Sequence, residues 1–153
     1  MVTKKNIHPD YYEYKKFIPE ITSGLCVKVY DPDTITVVSE LGGKKWLFSI
    51  RLLGIDAPEI KSKDIRCKNH AILGRDYLVH HILGKTIYLT TTKKDKYGRL
   101  LAEIFLNKDK KVSLNEMLIF EGFARKYDGG KKSGWDDFFE SPLYKTMKFE
   151  IDE

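Results

Sequence analysis

At 153 residues and 17.8 kDa the chain is long enough for one buried core and too short for two ordinary ones. With 42% hydrophobic and 32% charged residues, it has neither a disordered nor a membrane-spanning composition. Basic residues outnumber acidic ones by 27 to 22, a net charge of +5, and the excess is uneven: residues 136–153 hold six acids against two lysines. The basic remainder suits a polyanion such as nucleic acid, although a well-solvated surface gives the same count.

Residues 1–23 mix Tyr11, Tyr12, Tyr14 and Phe17 with Lys15, Lys16 and Pro19, and read as an arm that packs on the body. Residues 25–30 are short and β-branched, hence a strand, and Asp31-Pro32-Asp33 is a turn. Residues 34–40 are rich in Thr, Ile and Val, and Gly42-Gly43 links this second strand to a third. In that third strand Trp46, Phe48, Ile50 and Leu52 alternate with their neighbours. Ala71, Ile72, Tyr77, Leu78 and Ile82 give a helical rhythm over residues 69–83, with Gly84 at the stop. Residues 85–92 and 99–106 are the fourth and fifth strands, joined by a basic turn. Ser113 followed by Glu116 is a capping box opening a helix over 114–121, and Gly122 ends it. Trp135-Asp136-Asp137-Phe138-Phe139 starts a further short helix.

This order is an α+β pattern, mainly β. Five short strands with hairpin-like links suit a small barrel of the OB type, and periodicity alone leaves an open sheet as the alternative. The expected organisation is an arm at 1–23, one domain at 24–135 and an acidic extension at 136–153, packed on the domain or trailing it. Cys26 and Cys67 form no C-x-x-C, and Cys67-Lys68-Asn69-His70 lacks the second pair a zinc site needs. No apolar run of signal-peptide or membrane-spanning length is present, so the expected setting is soluble, intracellular and away from membranes.

Chemistry concentrates at strand ends. Asp31 and Asp33 follow the first strand, and Asp56 and Glu59 close the third. Carboxylates with backbone carbonyls bind hard cations, yet Asp and Pro are also ordinary turn formers. Arg51 interrupts an apolar alternation, and Arg99 follows Lys96-Tyr97-Gly98. A guanidinium matches phosphate oxygens and keeps its charge, while a surface salt bridge is the plain reading of either residue alone. Arg51 and Asp56 have opposite strand parity, so a bend near Gly54 is needed for them to converge.

Three motifs combine: Asp31-Pro32-Asp33-Thr34, then Arg51-Leu52-Leu53-Gly54-Ile55-Asp56-Ala57-Pro58-Glu59, then Asp95-Lys96-Tyr97-Gly98-Arg99. In that order, over roughly residues 25–127, they resemble the staphylococcal nuclease-like (thermonuclease) family. The resemblance implies a five-stranded OB-fold barrel with a helix between strands three and four and one or two C-terminal helices. It implies a calcium-dependent phosphodiesterase acting on DNA and/or RNA. Position by position, it places Asp33, Asp56 and the Ala57 carbonyl on the metal, with Asp31 supporting them. Glu59 would orient or deprotonate the attacking water, and Arg51 and Arg99 would hold the phosphate. Lys96, Tyr97 and Tyr127 would contact neighbouring nucleotides, Tyr127 with its spacing one residue off. Pro32 stands where the family has glycine, Ala57 where it usually has threonine, and the long basic C-terminal helix is not evident.

The expectation is therefore a divalent-metal-dependent nuclease, Ca²⁺ before Mg²⁺, with little sequence preference and a bias toward single strands. Two alternatives accompany it: an inactive nucleic-acid-binding module on the same fold, and a protein-interaction domain using the acidic tail and aromatic arm.

Overall fold

Period-2 apolar patterning closes into a barrel. The computed structural model describes residues 6–142, 144 and 145, so the first five residues of the arm and Lys148, Glu150, Asp152 and Glu153 of the tail lie outside the described residues. Strands β1 (Ser23–Asp31), β2 (Thr34–Leu41), β3 (Lys44–Leu52), β5 (Thr86–Lys94) and β6 (Leu100–Phe105) pair in the order β1-β2-β3-β6-β5, and β5 closes on β1. β3 and β6 are parallel, with Ile50 opposite Leu100 and Leu52 opposite Ala102; every other barrel pair is antiparallel. This is the five-stranded barrel of OB type that the strand pattern allowed. Cys26, Ile35, Val37, Ile50, Leu52, Ile87, Leu89, Ala102 and Ile104 fill the interior. Each large aliphatic side chain there contributes about 1.5–3 kcal/mol.

The β2–β3 turn uses Gly42 and Gly43 at φ 63° and 79°, the paired positive angles of a tight hairpin. Helix α1 (Ile65–Ile82) lies between β3 and β5 in sequence and packs Ala71, Leu78 and Ile82 inward. It starts four residues earlier than the apolar rhythm suggests. Asp64 caps it, accepting a hydrogen bond from the Arg66 N–H at 2.9 Å. Ile65, Arg66 and Lys68 are exposed, so the first turn carries no apolar stripe to read. Helix α2 (Leu114–Phe120) opens as the capping box requires, with the Ser113 hydroxyl accepting from the Glu116 N–H at 3.0 Å. Asn115 locks it to the barrel: its Oδ1 accepts from the Ile104 N–H, and its Nδ2 donates to the Leu53 and Ala102 carbonyls.

Two short strands escaped the pattern. β4 (Ile55–Asp56) pairs with β7 (Arg125–Lys126), placing Asp56 opposite Arg125. Gly54, at φ 80°, turns the chain out of β3 into β4 and supplies the bend that Arg51 and Asp56 needed. Beyond β7 the chain forms a strap ending in α3 (Asp136–Phe139), which docks against α1. The Arg66 guanidinium bonds Asp136 at 2.7 Å, Phe139 is buried, and the His70 ring lies among Phe123, Phe138, Phe139 and Tyr144. His70 Nε2–H donates to the Gly122 carbonyl at 2.7 Å. The arm contains a 3-10 turn at Pro9–Glu13, and Tyr11, Tyr12, Tyr14 and Phe17 are exposed. It meets the body through the buried Pro19 and Ile21. Among the described residues no helix is long and apolar enough to cross a membrane.

Candidate active site

The Asp31-Pro32-Asp33 corner joins β1 to β2 at the end of the barrel where β3 also finishes. A bulge between Val29 and Asp31 re-aims the end of β1. The corner is tied down by its backbone, because the Leu52 N–H donates to the Asp33 carbonyl at 2.9 Å. It is also gripped from behind. Pro32 is buried against Gly74 of α1, so closely that a Cβ on Gly74 would sit 2.9 Å from Pro32 Cγ. The ring thus fills the notch of a helix glycine.

Arg51 is the centre of the site and is only 7% exposed. Its Nη2 lies 3.4 Å from Asp33 Oδ2 and 3.7 Å from Asp56 Oδ1, and its Nη1 donates to the Leu52 carbonyl at 2.8 Å. Two buried carboxylates, one from the β1–β2 corner and one from β4, thereby converge on one guanidinium, as a buried arginine requires. Asp33 Oδ2 also accepts from the Ala57 N–H at 3.1 Å, and Asp31 Oδ1 accepts from the Ile60 N–H at 2.9 Å. These bonds dock the Asp56–Glu59 loop onto the corner. Burial pushes the Asp31 carboxyl above its ordinary range; the Ile60 N–H opposes this, and Asp33 and Glu59 add to it.

Arg99 enters from the β5–β6 turn. Its Nε bonds Asp95 Oδ2 at 2.6 Å, and Asp95 Oδ1 accepts from the backbone N–H of both Tyr97 and Arg99. Burial acts to raise the Asp95 pKa, but these bonds outweigh it and hold the carboxyl below its usual range. Tyr97 is exposed, with Lys96 and Arg99 5.2 and 5.4 Å from its ring centre.

Asp31, Asp33, Arg51, Glu59, Tyr97 and Arg99 line one cleft of about 570 Å³. Asp56 and Ala57 open instead on a smaller pocket of about 170 Å³ that shares Glu59 with it. Lys96 and Tyr127 line an adjoining cleft of about 600 Å³, which shares Arg51, Tyr97 and Arg99 with the first. The Tyr127 hydroxyl is held by the strap, donating to the Gly130 carbonyl at 2.6 Å.

A family model described as "Staphylococcal nuclease homologue" matches residues 49–140, more than half of the chain. The chain belongs to the staphylococcal nuclease homologue family. It is 33% identical to a thermonuclease of Staphylococcus hyicus over 101 residues, covering 65% of this chain and 56% of that one. It is 30% identical to an uncharacterized endonuclease of Escherichia coli over 105 residues, covering 69% and 61%. It is 33% identical to an uncharacterized protein of Methanocaldococcus jannaschii over 140 residues, covering 76% and 66%. The chain thus spans between about half and two thirds of the length of these relatives.

Against this staphylococcal nuclease homologue framework, two cations at Asp56 stand out because the sequence offered no role for them. Arg125 Nε and Nη2 bond Asp56 Oδ2 at 3.3 and 3.0 Å, and Lys132 Nζ lies 3.1 Å from Oδ1. Arg125 is 69 positions from Asp56, and only the β4–β7 pairing, too short for any periodicity, brings them together. Asp95 also went without a role. Its signal was readable, an Asp four residues before an Arg across a Tyr-Gly turn.

The donor set bears on the divalent metal that the resemblance implies. Among the described residues, no group of three or more His, Cys, Asp or Glu side chains is placed to hold an ion. Asp33 and Asp56 do converge, with the Ala57 backbone bonded to Asp33. Two buried carboxylates and a backbone carbonyl are hard oxygen donors, and such a set fits a hard divalent cation that keeps waters or phosphate oxygens in its remaining positions.

Proposed function

We infer that this chain is a metal-dependent nuclease that hydrolyses phosphodiester bonds of DNA and/or RNA with little sequence preference. The observation that carries this reading is Arg51, buried between Asp33 and Asp56 and sharing one cleft with Arg99 and Glu59. Asp33, Asp56 and the Ala57 carbonyl are the groups that would hold a divalent cation, Ca²⁺ for preference, with Asp31 bracing the corner. When bound, the cation supplies positive charge to the phosphate oxygens.

Arg51 and Arg99 contribute fixed donors aimed at the oxygens where negative charge grows during attack. Their preorganisation matters more than their charge alone. Arg51 is held by Leu52 and two carboxylates, and Arg99 by Asp95. Glu59, exposed at the cleft, orients the attacking water and accepts its proton, because neutral water is a weak nucleophile. Lys96 meets a neighbouring phosphate. Tyr97 and Tyr127 offer aromatic faces to bases, which favours unstacked single strands. An inactive binding module would draw support from Pro32, but the packing of Pro32 on Gly74 gives that residue a structural reason.

The test is hydrolysis of a single-stranded oligonucleotide, first with Ca²⁺ and then with excess chelator. Activity should vanish with the chelator, and Arg99→Ala should lose about 10²–10³ in rate. Equal rates with and without the chelator would sink the metal claim, and an Arg99→Ala variant at full rate would sink the phosphate assignment.

A further inference from the structure

Asp56 is surrounded by three cations, and they are not equivalent. Arg51 is anchored by the Leu52 carbonyl. Arg125 is anchored by the strap, donating to the Ser133 and Gly134 carbonyls at 2.7 and 2.8 Å with Trp135 stacked 3.7 Å from its guanidinium carbon. Lys132 is the exposed one, with 46% of its side chain open to solvent, and it borders both the phosphate cleft and the Asp56 pocket.

The strap decides where that ammonium can go. On one side of Lys132, Tyr127 Oη holds Gly130 and Asp128 Oδ1 accepts from the Gly130 N–H. On the other, Arg125 grips Ser133 and Gly134. Both flanks are pinned, and the Lys132 Nζ reaches Asp56 Oδ1. That same oxygen is the one turned toward Arg51, and hence toward Asp33.

We propose that Lys132 is a built-in competitor of the divalent cation, an ammonium tethered on an oxygen of Asp56, a carboxylate that would hold the metal. The proposal rests on the metal-dependent reading above. A hard cation needs a carboxylate oxygen at about 2.0–2.6 Å. An ammonium already in contact with that oxygen satisfies part of its charge and repels a second cation. Binding of one therefore weakens binding of the other, and the coupling is the same in both directions. Lys132 tunes metal affinity downward, and metal binding releases its ammonium to the cleft that Arg51 and Arg99 line.

The experiment is calorimetric titration of the intact chain with Ca²⁺, without nucleic acid, for wild type, Lys132→Met, Lys132→Gln and Lys132→Arg. Both neutral variants should bind Ca²⁺ about 5-fold more tightly, the scale of a half-exposed ion pair, while Lys132→Arg stays near wild type. In wild type, the nuclear magnetic resonance signal of the Lys132 side-chain Cε should shift over the same titration. A purely structural lysine would leave affinity unchanged or weaken it on removal, and either result in both neutral variants overturns the proposal. Should one variant fail to fold, the other and the wild-type Cε signal decide, a signal that stays fixed while Ca²⁺ binds being contrary. Absence of Ca²⁺ binding in all four proteins would instead overturn the metal reading itself.

Discussion

Gly74→Ala is the substitution that most directly tests how α1 holds the Asp31-Pro32-Asp33 corner. On an isolated helix, replacing an interior glycine with alanine gains about 1 kcal/mol. Here the added Cβ would lie 2.9 Å from Pro32 Cγ, 3.0 Å from Pro32 Cβ and 3.3 Å from Phe123 Cβ. The ring carbons are rigid and Pro32 is buried, so helix or corner must shift, and such overpacking costs about 1–3 kcal/mol. The net expectation is a loss of up to about 2 kcal/mol, with Tm moving about 2–4 °C for each kcal/mol in a chain of this size. Pro32→Gly removes the ring, and in that background Gly74→Ala should recover most of its intrinsic gain. A double-mutant cycle by thermal and denaturant unfolding measures the difference, expected at about 1–3 kcal/mol. Ca²⁺ titration of the same four proteins should show weaker binding for Gly74→Ala alone, because the corner carries Asp33. If Gly74→Ala stabilises both backgrounds equally, the helix does not hold the corner through Pro32 and the reasoning fails.

Arg51→Met should cost about 3 kcal/mol, because the Arg51–Asp33 and Arg51–Asp56 pairs are each at most 8% exposed on both sides. Adding Ca²⁺ should raise the Tm of this variant more than that of wild type, and an equal rise would contradict the placement of both carboxylates on the cation. Asn115→Leu should lose about 2–4 kcal/mol in denaturant unfolding, since the buried Ile104 N–H and Leu53 carbonyl lose their side-chain partner; a loss under 1 kcal/mol would mean that water replaces the amide. Burial holds the His70 pKa below its ordinary 6.5, with the Gly122 carbonyl opposing. The unfolded chain then takes up a proton that the folded one resists, so stability is full above about pH 6.5 and falls as pH drops toward the folded pKa. His70→Gln should flatten the Tm profile between pH 7.5 and 5.5, and an unchanged slope would remove His70 as the cause.

How much of this was readable follows from the length of each signal. Strands β2 and β3 and the hairpin between them announce themselves, because alternation and two positive-φ glycines repeat the same message over many residues. The capping box did the same for α2. The first turn of α1 was silent because its one buried residue, Cys67, sits among exposed ones, and capping by Asp64 alone set the start. β4 and β7 have two residues each, shorter than any period. Closure of the barrel through the parallel β3–β6 pair is likewise a long-range fact that no local pattern carries.

The site divides along the same line. The marked residues carry a local signal: Asp31, Asp33, Asp56 and Glu59 are acids clustered at strand ends, Arg51 breaks an apolar run, and Arg99 closes the Lys96-Tyr97-Gly98 turn. Arg125 and Lys132 carry none. A cation in a basic chain draws no notice, and a lysine in the Gly129-Gly130-Lys131-Lys132 run reads as solvated surface. Their meaning comes from Asp56, which is 3% exposed and would be costly to bury without partners. Arg51 alone is shared with Asp33 and stands no closer than 3.7 Å to Asp56. The remaining compensation had to arrive from elsewhere in the chain, and the strap is the element that brings it. A buried carboxylate left short of positive charge thus points to a segment far away in the sequence that brings it. Here that segment is residues 128–135, whose sequence contained the lysine but not its partner.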